Sequence, residues 1–183
     1  MGLLAYHTLY SCGPMDAALD GGIEWRKKVE IYCRQKNIGH LNPCDKPTLL
    51  VTEDEKFRKE IQELKDEGNY EEAKRRVKEV VGYDLAMVDN CRIMIMKVDP
   101  TIHLCGTYWE ACYAVQQHKP VLLFCEQGIN RIPNWLFGVL DYKLFFSSLE
   151  EVFNYLNKVD NNEIQLDRKW KFFDFSKIFN SYD

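Results

Sequence analysis

The chain has 183 residues, the length of one domain of ordinary size, and 46% of them are hydrophobic, so it can build a buried core. Its formal net charge is −4, which argues against duplex nucleic acid as the main partner, because such binding needs a basic face. No apolar run approaches the ~18 residues of a membrane span, and no signal-peptide pattern is visible. These features predict a cytoplasmic protein without a membrane partner.

The number and positions of the cysteines also favour a cytoplasmic protein. The seven cysteines are odd in number, form no C-x-x-C pair and mostly lie in predicted strands or helices. Free cysteine in such places behaves as a small hydrophobe, so we expect reduced thiols rather than a disulfide scaffold. The four histidines show no metal-ligand spacing.

The first part of the chain predicts two strands around one helix. An apolar-rich run over 3–12 ends at Gly13-Pro14, which is typical of a strand followed by a turn. Residues 16–22 predict a loop, and 23–37 predict a helix with apolar side chains on one side. A short second strand is expected at 40–43.

A charged segment follows. Residues 52–81 predict two helices that break at Gly68-Asn69, and their thin apolar stripe predicts a peripheral hairpin. A short helical or turn segment at 84–89 then leads to a strand at 92–98.

The remaining elements alternate again. They are a loop at 97–104, a helix from Thr107 to about His118, a strand at 120–125, a loop or short helix at 130–139, a short strand at 144–146 and a helix at 148–159. The aromatic tail at 164–183 is expected to pack on the body or on a partner subunit. This alternation favours a mostly parallel sheet of about five strands, covered on both faces, in a three-layer flavodoxin-like or Rossmann-like α/β fold.

We therefore predict a single domain over 1–183, with the charged helical insert at about 52–81 and the aromatic tail at about 164–183. No G-x-G-x-x-G follows the first strand, and no G-x-x-x-x-G-K-[ST] occurs. Ordinary dinucleotide and P-loop sites therefore lack their phosphate cradle here.

Gly106-Thr107-Tyr108-Trp109-Glu110 follows the third predicted strand and opens a helix. In an open α/β sheet, ligands bind at the carboxyl ends of strands, where helix N-termini point. Gly106 suits a tight turn, Thr107 suits a helix cap, and Glu110 would lie one turn into the helix. The same spacing at Thr52-x-x-Glu55 and Ser148-x-x-Glu151 shows that a capping box alone also explains this pattern.

Other motifs converge on the same predicted sheet edge: Tyr10-Ser11-Cys12-Gly13-Pro14-Met15-Asp16, Asn42-Pro43-Cys44-Asp45, and Asp84-Leu85 with Asp89-Asn90. With Trp25-Arg26 and Lys119-Pro120-Val121, their order resembles the nucleoside 2-deoxyribosyltransferase family and the related 2′-deoxynucleoside 5′-monophosphate N-glycosidases. The resemblance covers roughly residues 6–156.

The resemblance implies roles for individual residues. Glu110 would be the nucleophile that traps the sugar as a covalent glycosyl-enzyme, kept ionised by the helix N-terminus. Tyr10 would hold the Glu110 rotamer, and Asp84 would bind the substrate or handle the leaving-group proton. The expected substrate-binding residues are Gly13, Pro14, Met15, Asp16, Asp89, Asn90 and Gly106.

The resemblance also implies no metal or organic cofactor, and a homodimer or larger homo-oligomer in which Asn134 and the aromatic tail are candidate contacts. Local alternatives stay open: Tyr10 can be an ordinary strand residue, and Asp84, Asp89 and Asp16 can be turn or cap residues.

The chain departs from the family at one position. Typical transferases carry an aspartate six residues before the nucleophile, and the monophosphate hydrolases often carry a serine there. This chain has Leu104. The expected function is transfer of a deoxyribosyl group between bases, and the partners are a nucleoside or nucleotide and a free base. Hydrolysis of a nucleotide N-glycosidic bond and a catalytically inactive nucleotide-binding sensor are the alternatives.

Overall fold

A computed structural model describes residues 2–15, 18, 20–45, 55–170 and 172–173, apart from the side chain of Arg168. Within them lie five strands: β1 (Thr8–Cys12), β2 (Gly39–Leu41), β3 (Ile93–Lys97), β4 (Val121–Phe124) and β5 (Phe145–Phe146). The six α-helices are α1 (Ile23–Lys36), α2 (Glu55–Asp66), α3 (Tyr70–Asn90), α4 (Cys105–Gln116), α5 (Asn134–Val139) and α6 (Leu149–Asp160). The candidate site residue Asp16 and the Thr52 capping pattern lie outside the described residues.

The five strands form one parallel sheet in the order β2-β1-β3-β4-β5. This is the flavodoxin-like order, and it confirms the predicted α/β class with a parallel sheet. The strand order reverses between β1 and β3, so the chain leaves these neighbouring strands on opposite sides. A crevice forms at the carboxyl ends of such a pair, which is where ligands bind in folds of this kind.

Helices cover both faces of the sheet, and side-chain alternation along each strand divides the core into two clusters. Leu9 of β1 packs with residues of α1 and α6 on one face. Tyr10 and Cys12 pack with residues of α3, α4 and α5 on the other. Strand β3 is apolar at every position from Ile93 to Met96 because both of its faces are buried.

The charged segment is less peripheral than its composition suggested. Its helices break at Gly68 as predicted, where φ is +75° and an added Cβ would meet nothing within 4 Å. However, α3 does not stop near residue 81 but continues to Asn90, so the predicted separate segment at 84–89 is its last part. Val88 is completely buried against the sheet, and that packing explains why the helix extends beyond its charged half.

Two similar capping patterns have different outcomes. Ser148 caps α6 as predicted: its hydroxyl accepts from the Glu151 backbone N–H, and the Glu151 carboxylate accepts from the Ser147 backbone N–H. Helix α4, in contrast, begins at Cys105, two residues earlier than predicted, and its first-turn backbone is not capped by a side chain. The prediction that Thr107 is the cap is therefore wrong, and Glu110 lies in the second turn.

The described part of the aromatic tail packs on the body of the domain. Trp170 is 2% exposed and stacks on Phe173, with ring centroids 5.9 Å apart and an interplanar angle of 9°. Both residues belong to the cluster beneath α1 and α6.

All seven cysteines are free thiols, as expected. No described helix combines the length and apolar character that crossing a membrane would require.

Candidate active site

Strand β1 directs two side chains toward α4. Tyr10 and Cys12 are two residues apart, so they point to the same face of the sheet, and both are almost completely buried. Helix α4 lies over this face and brings Glu110 down to the end of the strand. The predicted meeting of Tyr10 and Glu110 follows from this arrangement.

Hydrogen bonds from β1 hold the Glu110 carboxylate. The Cys12 thiol donates to Oε2 of Glu110 across 2.9 Å, and its sulfur also lies 3.5 Å from the Thr107 carbonyl oxygen. The Tyr10 hydroxyl interacts with the same carboxylate through a side-chain hydrogen bond. Two donors from one strand therefore restrain the orientation of the candidate nucleophile.

The protonation of Glu110 reflects opposing influences. Burial of the carboxyl group, assisted by the nearby Asp84 carboxylate, raises the pKa of Glu110 to about 7. The hydrogen bonds from Cys12 and Tyr10 and the charge of Arg26 oppose this rise. The helix N-terminus was expected to keep Glu110 ionised, but dipole effects fade within the first turn and Glu110 lies in the second. Burial therefore dominates.

A cavity of 810 Å³ opens beside this carboxylate, between α3, α4 and the start of α5. It contains both predicted carboxylates, Glu110 and Asp84, on facing helices α4 and α3. The other lining residues are mostly apolar: Val77, Val80, Val81, Leu85, Cys105, Gly106, Tyr108, Trp109, Cys112, Pro133, Trp135 and Leu136. A pocket with an apolar wall and a few polar groups suits a small organic ligand.

Gly106 belongs to this cavity wall, although not in the predicted way. It is the second residue of α4 rather than a tight-turn residue, and its φ is not in the left-handed region. A Cβ added there would meet no atom within 4 Å, so the glycine leaves open space beside the two carboxylates. Substrate binding by Gly106 thus remains a prediction, but the turn role is wrong.

The turn after β1 is built by Arg26. This side chain is 1% exposed, and its guanidinium donates to the carbonyl oxygens of Ser11, Gly13, Pro14 and Gly22. Gly13 is required at the turn because a Cβ there would come within 2.9 Å of Trp25 Cζ2. Trp25 and Arg26 are therefore buried side chains that support the end of β1.

The other predicted binding residues of this turn lie at the same edge of the sheet. Pro14 lines a smaller cavity of 410 Å³ on the α1 side, together with Trp25 and Lys97. Met15 follows it and is partly buried. Their proposed contact with substrate remains a prediction.

Asp89 and Asn90 lie away from this edge. Helix α3 runs back across the sheet, so its last residues come next to the beginnings of β1 and β3. The Asn90 carbonyl accepts from the hydroxyl of Thr8, which starts β1, and the Asp89 carboxylate accepts from Gln117 Nε2 after α4. The structure does not bring either residue to the candidate site.

Leu104 and Cys12 are two further buried residues of this region. Leu104 precedes α4 and is 4% exposed, so it packs in the core instead of presenting a polar group. Cys12 was not among the predicted site residues, although the two-residue alternation from Tyr10 would have placed it on the same face.

Across the described ranges, no group of three or more His, Cys, Asp or Glu side chains is arranged to hold a metal ion.

Comparisons with known proteins support the motif-based resemblance. The family model for nucleoside 2-deoxyribosyltransferases matches residues 9–132. A 2-desoxiribosyltransferase from Leishmania mexicana has a similar structure, with 20% identity and a TM-score of 0.53 over 82% of this chain and 96% of that one. A CMP N-glycosidase from Clostridium botulinum shares 11% identity, with a TM-score of 0.50 over 82% of this chain and 97% of that one.

A comparison with curated proteins gave no significant match. The two structural likenesses establish a shared fold, and the family model covers β1, β3, β4 and the helix that carries Glu110. The chain therefore belongs to the nucleoside 2-deoxyribosyltransferase family.

Proposed function

We propose that this protein is a cytoplasmic enzyme that cleaves the N-glycosidic bond of a deoxynucleoside and transfers the sugar to another base. The observation that carries this proposal is the pair of carboxylates in one cavity, with Glu110 held by donors from β1 and Asp84 facing it from α3. Membership of the family supports the same reaction class.

In the proposed reaction, a carboxylate oxygen of Glu110 attacks C1′ as the C1′–N bond breaks. The electron pair of that bond leaves with the base nitrogen, which takes up a proton. Asp84 is the candidate group to manage that proton or to orient the sugar. A nitrogen lone pair of the second base then attacks C1′, the ester bond to Glu110 breaks, and the incoming base loses a proton.

Transfer is favoured over hydrolysis by the character of the cavity. Its walls are largely Val, Leu and Trp side chains, which suit the faces of a planar base better than they order a reactive water. The CMP N-glycosidase named above makes hydrolysis the second candidate, with water in place of the acceptor base.

The charge of the cavity favours a nucleoside over a monophosphate. The lining residues within the described ranges include two carboxylates and no lysine or arginine. The buried Arg26 is already bound to four backbone carbonyl groups. A phosphate dianion would therefore lack a cationic partner at this wall and would meet Asp84 and Glu110 instead.

The decisive experiment incubates the protein with a deoxynucleoside and a second free base, and follows exchanged nucleoside and released base by chromatography. We expect exchange that depends on the second base, with deoxynucleosides used better than their 5′-monophosphates. Activity should fall as the pH drops through about 7, because attack requires the ionised form of Glu110.

Glu110→Gln should abolish exchange while keeping the fold, and Glu30→Gln is the matched control on α1, where Glu30 forms an ion pair with Arg34 and does not line the cavity. Sugar release without any acceptor would favour the hydrolase. Tight nucleoside binding without turnover of any common substrate would favour the inactive sensor, and undiminished activity of Glu110→Gln would remove the nucleophile.

We also propose that the protein assembles as a homodimer or larger homo-oligomer through the face around the cavity. Trp109 and Trp135 are 63% and 77% exposed there, and Asn134 starts the same short helix as Trp135. Large exposed aromatic groups at one face are typical of interaction surfaces. A monomeric mass by light scattering at micromolar concentration would contradict this assembly.

A further inference from the structure

Cys12 is a buried thiol with two acceptors beside it. Its side chain is 0% exposed, and its sulfur lies 2.9 Å from Oε2 of Glu110 and 3.5 Å from the carbonyl oxygen of Thr107. A thiol carries one hydrogen, so it can donate to only one of these oxygens at a time. The shorter contact is with the ionisable carboxyl group of Glu110.

The thiol acts here as a donor and not as a nucleophile. Burial, together with the neighbouring Glu110 carboxylate, raises the pKa of Cys12 well above its usual range. The proton therefore stays on sulfur at neutral pH. A permanent donor at the end of β1 is suited to controlling the charge of Glu110.

We propose that Cys12 is a positioning residue for Glu110: its thiol donates to Oε2 while the carboxylate is charged and turns to the Thr107 carbonyl oxygen when that charge is lost. This inference rests on the function proposed above and adds a residue to the Tyr10–Glu110 pair. Cys12 would then have a role in the reaction in addition to its place in the hydrophobic core.

The proposed reaction supplies the change of charge. When the C1′–O bond to Glu110 forms and the C1′–N bond breaks, the carboxylate becomes a neutral ester and the electron pair leaves with the base. The ester oxygens are weaker acceptors than the carboxylate oxygens, so the Thr107 carbonyl competes better for the thiol hydrogen. When the ester breaks, the charge returns and the thiol hydrogen bond to Oε2 forms again.

The groups that face Glu110 come from three elements. Cys12 and Tyr10 of β1 donate hydrogen bonds, Asp84 of α3 adds negative charge, and Arg26 of α1 adds positive charge. The Cys12 thiol, Tyr10 and Arg26 all favour the ionised carboxylate, and the thiol sulfur lies 2.9 Å from Oε2. Removing the thiol should therefore make Glu110 harder to ionise while Tyr10 and Arg26 remain.

The test compares Cys12→Ala and Cys12→Val, which remove the donor, with Cys12→Ser, which keeps one. Val preserves side-chain bulk in case Ala weakens the packing. Cys91→Ala is the matched control, because Cys91 is equally buried in the same cluster but its thiol donates to the Val88 carbonyl oxygen. The titration of Glu110 is followed by carbon NMR of labelled glutamate carboxyl groups, with Glu110→Gln identifying the signal.

We expect the titration midpoint of Glu110 to rise by roughly 1 pH unit in Cys12→Ala and Cys12→Val, the shift for a lost hydrogen bond to a charged group. The acid limb of kcat/KM should move by the same amount, so the loss is about tenfold at pH 6 and small at pH 9. Cys12→Ser and Cys91→Ala should keep the wild-type midpoint.

An unchanged midpoint in both donor-free variants, or a loss of activity equal at every pH, would overturn the role of Cys12. The same shift in Cys91→Ala would also overturn it, because the cause would then be general loosening of the core. These outcomes are separate from the proposed function: base exchange by the wild-type protein tests the reaction, while the NMR titration tests the thiol even if no exchange is found.

Discussion

At the scale of single residues, the carboxyl group of Glu110 combines burial with hydrogen bonding. Its environment favours the neutral form strongly enough to bring the pKa to about 7, and the donors on β1 limit that rise. A group with a pKa near the operating pH can be ionised for attack without a large additional cost. The same environment makes the folded state sensitive to the charge of this residue.

This coupling predicts a pH-dependent effect of Glu110→Gln on the free energy of unfolding. The folded pKa is raised from 4.5 to about 7, so the stabilising contribution of the protonated carboxyl is complete below pH 4.5 and is lost as the pH rises through 7. Gln stays neutral, so the variant should gain stability relative to wild type by about 3 kcal/mol above pH 7 and by little at pH 4.

Urea unfolding at pH 4, 6 and 8 measures this difference. Glu30→Gln serves again as control, because loss of its exposed pair with Arg34 should lower stability slightly and without a comparable rise at pH 8. A gain for Glu110→Gln that is the same at all three pH values would contradict the effect of burial on this carboxyl.

At the scale of elements, the site depends on where α4 begins and how far α3 extends. Because α4 starts at Cys105, its second turn brings Glu110 to the end of β1. Because α3 continues to Asn90, it carries Asp84 to the opposite wall of the cavity and takes Asp89 and Asn90 away from it. The extension of α3 follows from the packing of Val88 against the sheet, which local capping patterns do not contain.

Substitution of Gly106 by leucine tests this arrangement of α4. Its added side chain would enter open space in the cavity wall, so Gly106→Leu should fold normally, with a stability gain of about 0.5 kcal/mol from helix propensity. The leucine should occupy substrate volume and raise KM on the order of tenfold, which corresponds to about 1.4 kcal/mol of lost binding.

Gly82→Leu in α3 is the matched control, because an added side chain there also meets nothing within 4 Å and Gly82 does not line the cavity. It should show a similar stability gain with unchanged KM. Equal KM values for the two leucine variants, measured by the exchange assay, would place substrate elsewhere.

At the scale of the whole molecule, the sheet separates a large apolar cluster from the candidate site. The α1–α6 side holds a large apolar cluster that includes the described tail residues Trp170 and Phe173. The α3–α4 side holds Tyr10, Cys12 and the cavity. Damage to this apolar cluster at positions away from Trp25 and Arg26 should therefore lower stability much more than it changes the kinetics of the candidate site.

Trp170→Ala should lower the free energy of unfolding by about 3–5 kcal/mol, because it removes a large ring that is 2% exposed. Below the melting temperature, kcat and KM should stay near wild-type values. Tyr142→Ala removes an aromatic ring that is 65% exposed and should leave both stability and kinetics almost unchanged. A melting temperature for Trp170→Ala equal to that of Tyr142→Ala would show that the tail does not support the body.

The alternation of strands and helices and the parallel sheet could be predicted from the linear chain, while the resemblance of its motifs to a known family implied the approach of Tyr10 to Glu110. These features follow from periodicity, from apolar runs such as β3 and from motifs whose order survives in the linear chain. Three features required the folded structure: Thr107 does not cap α4, Asp89 and Asn90 lie at the far edge of the sheet, and Cys12 donates to Glu110. These features depend on the lengths of the helices and on contacts between residues about a hundred positions apart. Both are set when the helices pack against the sheet, and neither can be deduced from the local sequence.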